Sequence, residues 1–172
     1  MRQRGFTLIE LVVVVVIVAI MTGFALDRLL PLIGRAERAA FVQVQSQLRS
    51  ALMLEAAEKL ARGESASLSE LAGVNPMSLL LEAPANYLGS LTQQPDERDT
   101  RASWYYDERG RRLVYVVGKH TKFRPVTGPE NRIELFVEFV YSDRDGSGAY
   151  EPSRDEFDGL RLASAFAYDW PD

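Results

Sequence analysis

After a short polar head, the chain runs apolar from Phe6 to Leu26, interrupted only by Thr7, Glu10, Thr22 and the small Gly23. About 20 helical residues at 1.5 Å rise cross a hydrocarbon core of roughly 30 Å. In lipid every backbone polar group must find its partner within the segment, so this run reads as a helix despite its valines. It predicts a transmembrane helix over residues 6–30. From Arg35 to Arg62 the period becomes amphipathic: Phe41, Val44, Leu48, Leu52 and Leu60 recur among Glu37, Arg38, Gln45, Arg49, Glu55 and Glu58. That stripe predicts packing on a sheet rather than capture of a partner. Pro31 and Gly34 lie between the two stretches and predict a kink or a loosening. Gly63 is the expected stop.

Two short helices are expected next. Ser67-x-x-Glu70 has the form of a capping box with Gly73 as its stop, and Asn75-Pro76 supplies a cap and a first-turn proline before Met77–Leu81. Residues 84–102 read as loop, with turn-forming Gln94-Pro95-Asp96. The period then changes to two. Trp104-Tyr105-Tyr106 and Leu113–Val117 flank Asp107-Glu108-Arg109-Gly110 as a hairpin, and Arg132–Tyr141 alternates with Ile133, Leu135, Val137 and Phe139 on one face. Leu160–Tyr168 offers a fourth strand, with Leu162, Phe166 and Tyr168 to one side. The fold class expected is α+β: a long N-terminal helix, transmembrane then amphipathic, packed on a C-terminal antiparallel sheet over about 103–170.

The 172 residues suffice for one domain beyond the apolar segment, and a net charge of −4 argues against general nucleic-acid binding. Cysteine is absent, so the core holds without disulfides unless a metal helps. No enzyme is expected. The single histidine, His120, stands beside Lys119 and Lys122 with no nucleophile suggested nearby, and no glycine-rich phosphate loop is present. Trp104, Tyr105 and Tyr106 read as strand packing rather than a ligand platform.

Arg2 and Arg4 precede the apolar run and Asp27 follows it, which by the positive-inside bias leaves the N-terminus cytoplasmic. Glu10 is the anomaly, since a charge at the centre of a spanning helix costs about 2.5–3.5 kcal/mol on insertion scales. Three readings compete. A secretory signal peptide is disfavoured by Glu10 and by the lack of a clean Ala-x-Ala site. A plain anchor would make Thr7-x-x-Glu10 only a capping box. In the third reading, Arg4-Gly5-Phe6-Thr7-Leu8-Ile9-Glu10 resembles the class III leader junction of type IV pilins and type II secretion pseudopilins. The resemblance covers about the first 30 residues.

That resemblance implies a leader of residues 1–5, cleavage after Gly5 by a prepilin peptidase and N-methylation of Phe6. Glu10 becomes the fifth mature residue, facing the terminal amine of a neighbouring subunit. An amine and a carboxylate, each costly alone among apolar helices, would neutralise each other and set the register. Phe6, Thr7, Leu8 and Glu10 are the expected assembly residues. The implied partners are other pilin or pseudopilin subunits, the peptidase, an inner-membrane assembly platform, and lipid before assembly. The implied location is a single-pass inner-membrane protein with residues 31–172 periplasmic. Major type IV pilins commonly close a C-terminal loop with a disulfide, so the lack of cysteine favours a pseudopilin or minor pilin. The alternatives are an anchored periplasmic domain that binds calcium or another ligand without polymerising, and a secreted soluble domain.

The remaining chemistry lies in residues 142–158. Asp143, Asp145 and Ser147 have the 1, 3, 5 spacing of a calcium loop and Gly148 sits at the sharp turn, but Arg154 stands where a bidentate glutamate would close an EF-hand. Asp155 and Glu156 follow at once and could close the site differently. The stretch resembles the calcium loop of major type II secretion pseudopilins. Asp143, Asp145, Ser147, Asp155 and Glu156 are thus candidate calcium ligands, against the alternative of a solvated Asp-Gly turn. The roughly 18 residues between the expected strands are long for an inert hairpin loop.

Overall fold

One helix, α1 (Leu8–Ala61), runs without interruption through both the apolar and the amphipathic stretches in the computed structural model, which describes residues 7–96 and 100–171. Thr7 caps it with extended backbone, its hydroxyl accepting the Glu10 amide at 3.3 Å. At the other end Gly63 takes φ +77°, and the Glu64 amide bonds the Lys59 carbonyl at 2.9 Å. The helix continues through Pro31, and Gly34 does the opposite of loosening it. Gly34 is buried, and a Cβ there would overlap the backbone carbonyl of His120. The missing side chain lets a loop lie directly on the helix.

The buried stripe of α1 is Phe41, Gln45, Leu48, Leu52 and Ala56, spaced by three or four residues, with Val44 half-buried. Leu60, expected in that stripe, is exposed. Two 3₁₀ helices follow, Ser65–Leu71 and Pro76–Leu79. The expected capping box at Ser67 does not form. Ser67 lies inside the first of these, its hydroxyl donating to the Glu64 carbonyl and accepting from the Lys59 ammonium. Asn75 does cap the second, its Oδ1 accepting the Met77 amide at 3.1 Å.

Among the described residues, seven strands complete the domain: β1 (Tyr87–Leu91), β2 (Ser103–Asp107), β3 (Arg112–Val116), β4 (Arg124–Pro125), β5 (Arg132–Ser142), β6 (Glu156–Ser164) and β7 (Tyr168–Asp169). Five form one sheet in the order β1-β2-β3-β5-β6, and β4 pairs with β7. β1 corrects the expectation of loop over 84–102. It runs parallel to β2, with Asn86 holding the start of the pair through its carbonyl to the Trp104 amide and its side-chain amide to the Ala102 carbonyl. All other pairs in that sheet are antiparallel.

The fourth expected strand is displaced toward the N-terminus. Glu156 already pairs with Ser142, a register shift opposite Val140–Tyr141 accompanies Gly159, and pairing ends at Ser164. Tyr168 belongs to the separate β4–β7 pair, so its alternation with Leu162 and Phe166 does not carry across the break. In the β2–β3 turn it is Arg111, not Gly110, that takes the left-handed conformation, at φ +51°, while its guanidinium bonds the Ala72 and Gly73 carbonyls.

α1 lies across the inner face of this sheet, and the contact is aromatic. Phe41 stacks flat on Trp104 with centroids 5.1 Å apart, and Tyr115 and Trp170 tilt against it at 5.1 and 5.2 Å. Leu48, Leu52, Leu113, Ile133, Leu135, Val137 and Leu162 extend the same core. A second cluster of Ala56, Leu68 and Leu71 with Phe139, Phe157 and Leu160 seals the lower end of the helix.

Candidate functional site

The N-terminal half of α1 leaves its own domain entirely. From Leu8 to Ile33 every side chain is exposed, including Leu8, Ile9, Leu11 and the run Val12–Val18. An apolar surface of that size does not face water in a soluble monomer. By length and composition this helix can cross a membrane. Thr22, the polar residue deepest in the run, returns its hydroxyl to the Val18 carbonyl at 2.8 Å and is satisfied within the helix. Glu10 differs. Its amide is capped by Thr7, but among the described residues its carboxylate receives no hydrogen bond and pairs with no cation. The reciprocal arm of a capping box is not made, so a purely local account of Glu10 leaves its charge unexplained. Thr7 and Leu8 lie beside it at the helix start. Gly5 and Phe6 fall outside the described residues.

Where α1 emerges from this exposed stretch, the domain is fastened to it. Glu37 accepts the Tyr115 hydroxyl at 2.9 Å and the Gly118 amide at 2.7 Å. Burial, and then the adjacent Glu37 carboxylate, push the Tyr115 phenol well above its ordinary range. The Arg38 Nε donates to the Trp170 carbonyl at 2.6 Å. Gly34, Glu37, Arg38 and Trp170 had no signal in the sequence as functional residues. Glu37 and Arg38 read as solvent-facing positions of an amphipathic helix, because pattern alone cannot reveal which polar side chains bridge to another element.

The acidic loop spans residues 143–155, shorter than expected because β6 begins at Glu156. It is wound on its own carboxylates. Asp143 accepts the Gly146 and Gly148 amides at 2.7 and 2.9 Å, both glycines having positive φ. Asp155, which is buried, accepts the Arg144 and Glu151 amides at 3.1 and 2.7 Å. Asp145 accepts the Ser147 amide at 3.0 Å and Arg154 at 3.2 Å. The hydroxyl and amide of Ser147, then Arg154, hold the Asp145 carboxyl below the usual range. Of the five candidate ligands, Asp143, Asp145 and Asp155 bring carboxylate oxygens within 4.8 Å of one another. Ser147 lies against Asp145 through its amide and donates its hydroxyl to the Ala149 carbonyl, whereas Glu156 stands outside the carboxylate group and pairs with Arg144. His120 lies in the loop after β3, exposed, against α1.

Comparison with known proteins bears on the N-terminus. Residues 1–26 match the family model for the prokaryotic N-terminal methylation motif. No solved structure matches the chain. The match spans the head, the Gly5-Phe6 junction, Glu10 and most of the exposed apolar run, and it supports a class III prepilin leader on a type IV pilin-like chain.

Proposed function

Starting from a type IV pilin-like chain, we propose that this protein is a structural subunit of a type II secretion pseudopilus or a type IV pilus, in the pseudopilin or minor-pilin class. It would be held in the inner membrane, cut after Gly5 and methylated at Phe6, then drawn into a helical filament with its sheet domain outward. The observation that carries this reading is the exposed apolar helix of a chain with the methylation motif, bearing near its start the Glu10 carboxylate, which has no partner among the described residues. Neighbouring helices would replace lipid around Leu8, Ile9, Leu11 and the valines. The terminal amine of the next subunit would neutralise Glu10, and a buried pair of that kind specifies register more than it adds stability.

The test is the mature N-terminus, read by intact mass and terminal peptide sequencing from cells with and without prepilin peptidase. N-methylated Phe6 as the first residue, only with the peptidase, is the expected result; an intact Met1 in both would leave a plain anchor. Glu10→Gln should keep membrane insertion and domain folding while abolishing filament assembly.

The acidic loop is proposed as a calcium site. Asp143, Asp145 and Asp155 offer an all-oxygen set of the kind a hard cation takes, on a loop shaped by two glycines. Their mutual repulsion is at present offset by backbone amides and by Arg154. Calcium would take the place of that guanidinium on Asp145, and would lock the loop that ends β5 and begins β6.

A further inference from the structure

We propose that the domain carries both halves of a contact between copies of this chain: a ridge on one flank of α1 seats in a groove on the other flank of the next copy. The ridge is Arg35, Val42, Arg49 and Met53, spaced by seven, seven and four residues and so on one side of the helix. All four are exposed, Val42 at 45% and Met53 at 57%. They lie beyond the apolar run Leu8–Ile33, so lipid around the span does not account for them. The groove lies across the helix, since Ala40, Val44 and Gln47 each stand two residues from Val42 or Arg49 at 3.6 residues per turn. It holds about 390 Å³ between those residues and the 82–86 segment that leads into β1. Ala40, Val44, Ala83 and Pro84 give it an apolar lining, Gln43, Gln47 and Glu82 a polar one, and Leu81 stands fully exposed beside it. A space of that size and lining takes one aliphatic side chain of the ridge.

Charge selects the occupant. The ridge carries Arg35 and Arg49, whereas the groove flank carries Glu82 and, eight and eleven residues on from Gln47, Glu55 and Glu58. Glu58 is paired with Arg62 at 2.9 Å; among the described residues Glu55 and Glu82 pair with no base, and Arg35 and Arg49 with no acid. The span then decides how copies meet. Every copy crosses the membrane in one orientation, so neighbouring α1 helices stand parallel. Ridge against ridge would set Arg49 beside Arg49, and groove against groove Glu82 beside Glu82, and like charges at a contact are unfavourable. Ridge into groove joins opposite charges, and the two surfaces overlap in height, residues 42–53 against 40–47. Such a contact leaves a free ridge and a free groove on every pair, so it continues as an open helix instead of closing as a dimer.

This inference rests on the filament reading and names the contact that such a filament makes outside the membrane. The full-length chain, which has no cysteine of its own, is made with Ser46→Cys beside the ridge, in cells that hold prepilin peptidase. It is labelled there with benzophenone maleimide and illuminated. The expected product has twice the chain mass, its cross-link mapped by peptide sequencing to the 82–86 segment, Gln43 or Gln47. Arg49→Glu in the same chain should lower the yield about fivefold or more. Arg144→Glu, on the distant acidic loop, should leave it unchanged. A link to Arg49 or Met53 of the second copy, an adduct with a different protein, or a yield indifferent to Arg49→Glu would overturn the proposal. Terminal sequencing of the same sample separates the two readings. Chain that starts at N-methylated Phe6 but gives no doubled product sinks the contact alone; uncut chain without the product sinks the filament reading and the contact with it.

Discussion

Glu37 illustrates how much can turn on one side chain. In the sequence it is one of several acids on a helix, yet it receives one donor from β3 and one from the loop that follows, and so ties α1 to both. Its partner Tyr115 is held neutral, burial being the larger cause and the Glu37 carboxylate the next. The folded phenol therefore titrates above the ordinary value of about 10. Its contribution to stability is complete below that pH and is lost as pH rises beyond it. Tyr106, Tyr150 and Tyr168 are shifted the same way, so unfolding should become easier above about pH 10. Tyr115→Phe should make that alkaline decline shallower while lowering stability at neutral pH by about 1 kcal/mol, measured by denaturant unfolding across pH. A variant with an unchanged alkaline slope would remove Tyr115 from the account.

At the scale of elements, strands with clean alternation were legible and those without it were not. β5 reads directly from Ile133, Leu135 and Val137, because one face is buried and the other is not. β1 was hidden because Tyr-Leu-Gly-Ser-Leu is short, carries a glycine and pairs in parallel, so no hairpin turn announces it. The start of β6 was hidden by its charges: Glu156 and Asp158 read as loop, but they face solvent on an edge strand. That shift shortens the acidic loop and separates Glu156 from the three aspartates.

If the loop takes calcium, affinity in the extracellular range of roughly 10⁻⁴–10⁻³ M should raise the melting temperature, with about 1.4 kcal/mol gained at ten times Kd. Asp145→Asn, which keeps an oxygen for the Ser147 amide and loses the ion pair to Arg154, should cancel the calcium shift while lowering the metal-free melting point only slightly. A melting temperature indifferent to millimolar calcium would leave the loop a self-satisfied turn.

For the whole molecule, the α+β class followed from a change of period along the chain, but the way the layers lock together did not. Periodicity told which face of α1 is apolar; it carried no information about Gly34, whose role depends on a loop more than eighty residues away. Adding a methyl group there collides with the His120 carbonyl, and neither backbone can yield cheaply. Gly34→Ala should cost about 1–3 kcal/mol and open the 118–122 loop to protease, read by thermal melting and limited proteolysis. Gly63→Ala, with nothing near its Cβ, separates steric cost from loss of a glycine: it should strain the turn but leave that loop protected.

The bond from Arg38 to Trp170 joins positions 132 residues apart. Trp170 also closes over Phe41, at the centre of the aromatic core. A chain that emerges through a membrane helix-first would present that aromatic platform long before its cover arrives. Contacts of such separation form late and slowly, and the waiting surface is the kind that aggregates. Delivery of the domain would thus be a race between translation and collapse, with the uncovered Phe41 face as its exposed flank until residue 170 is in place.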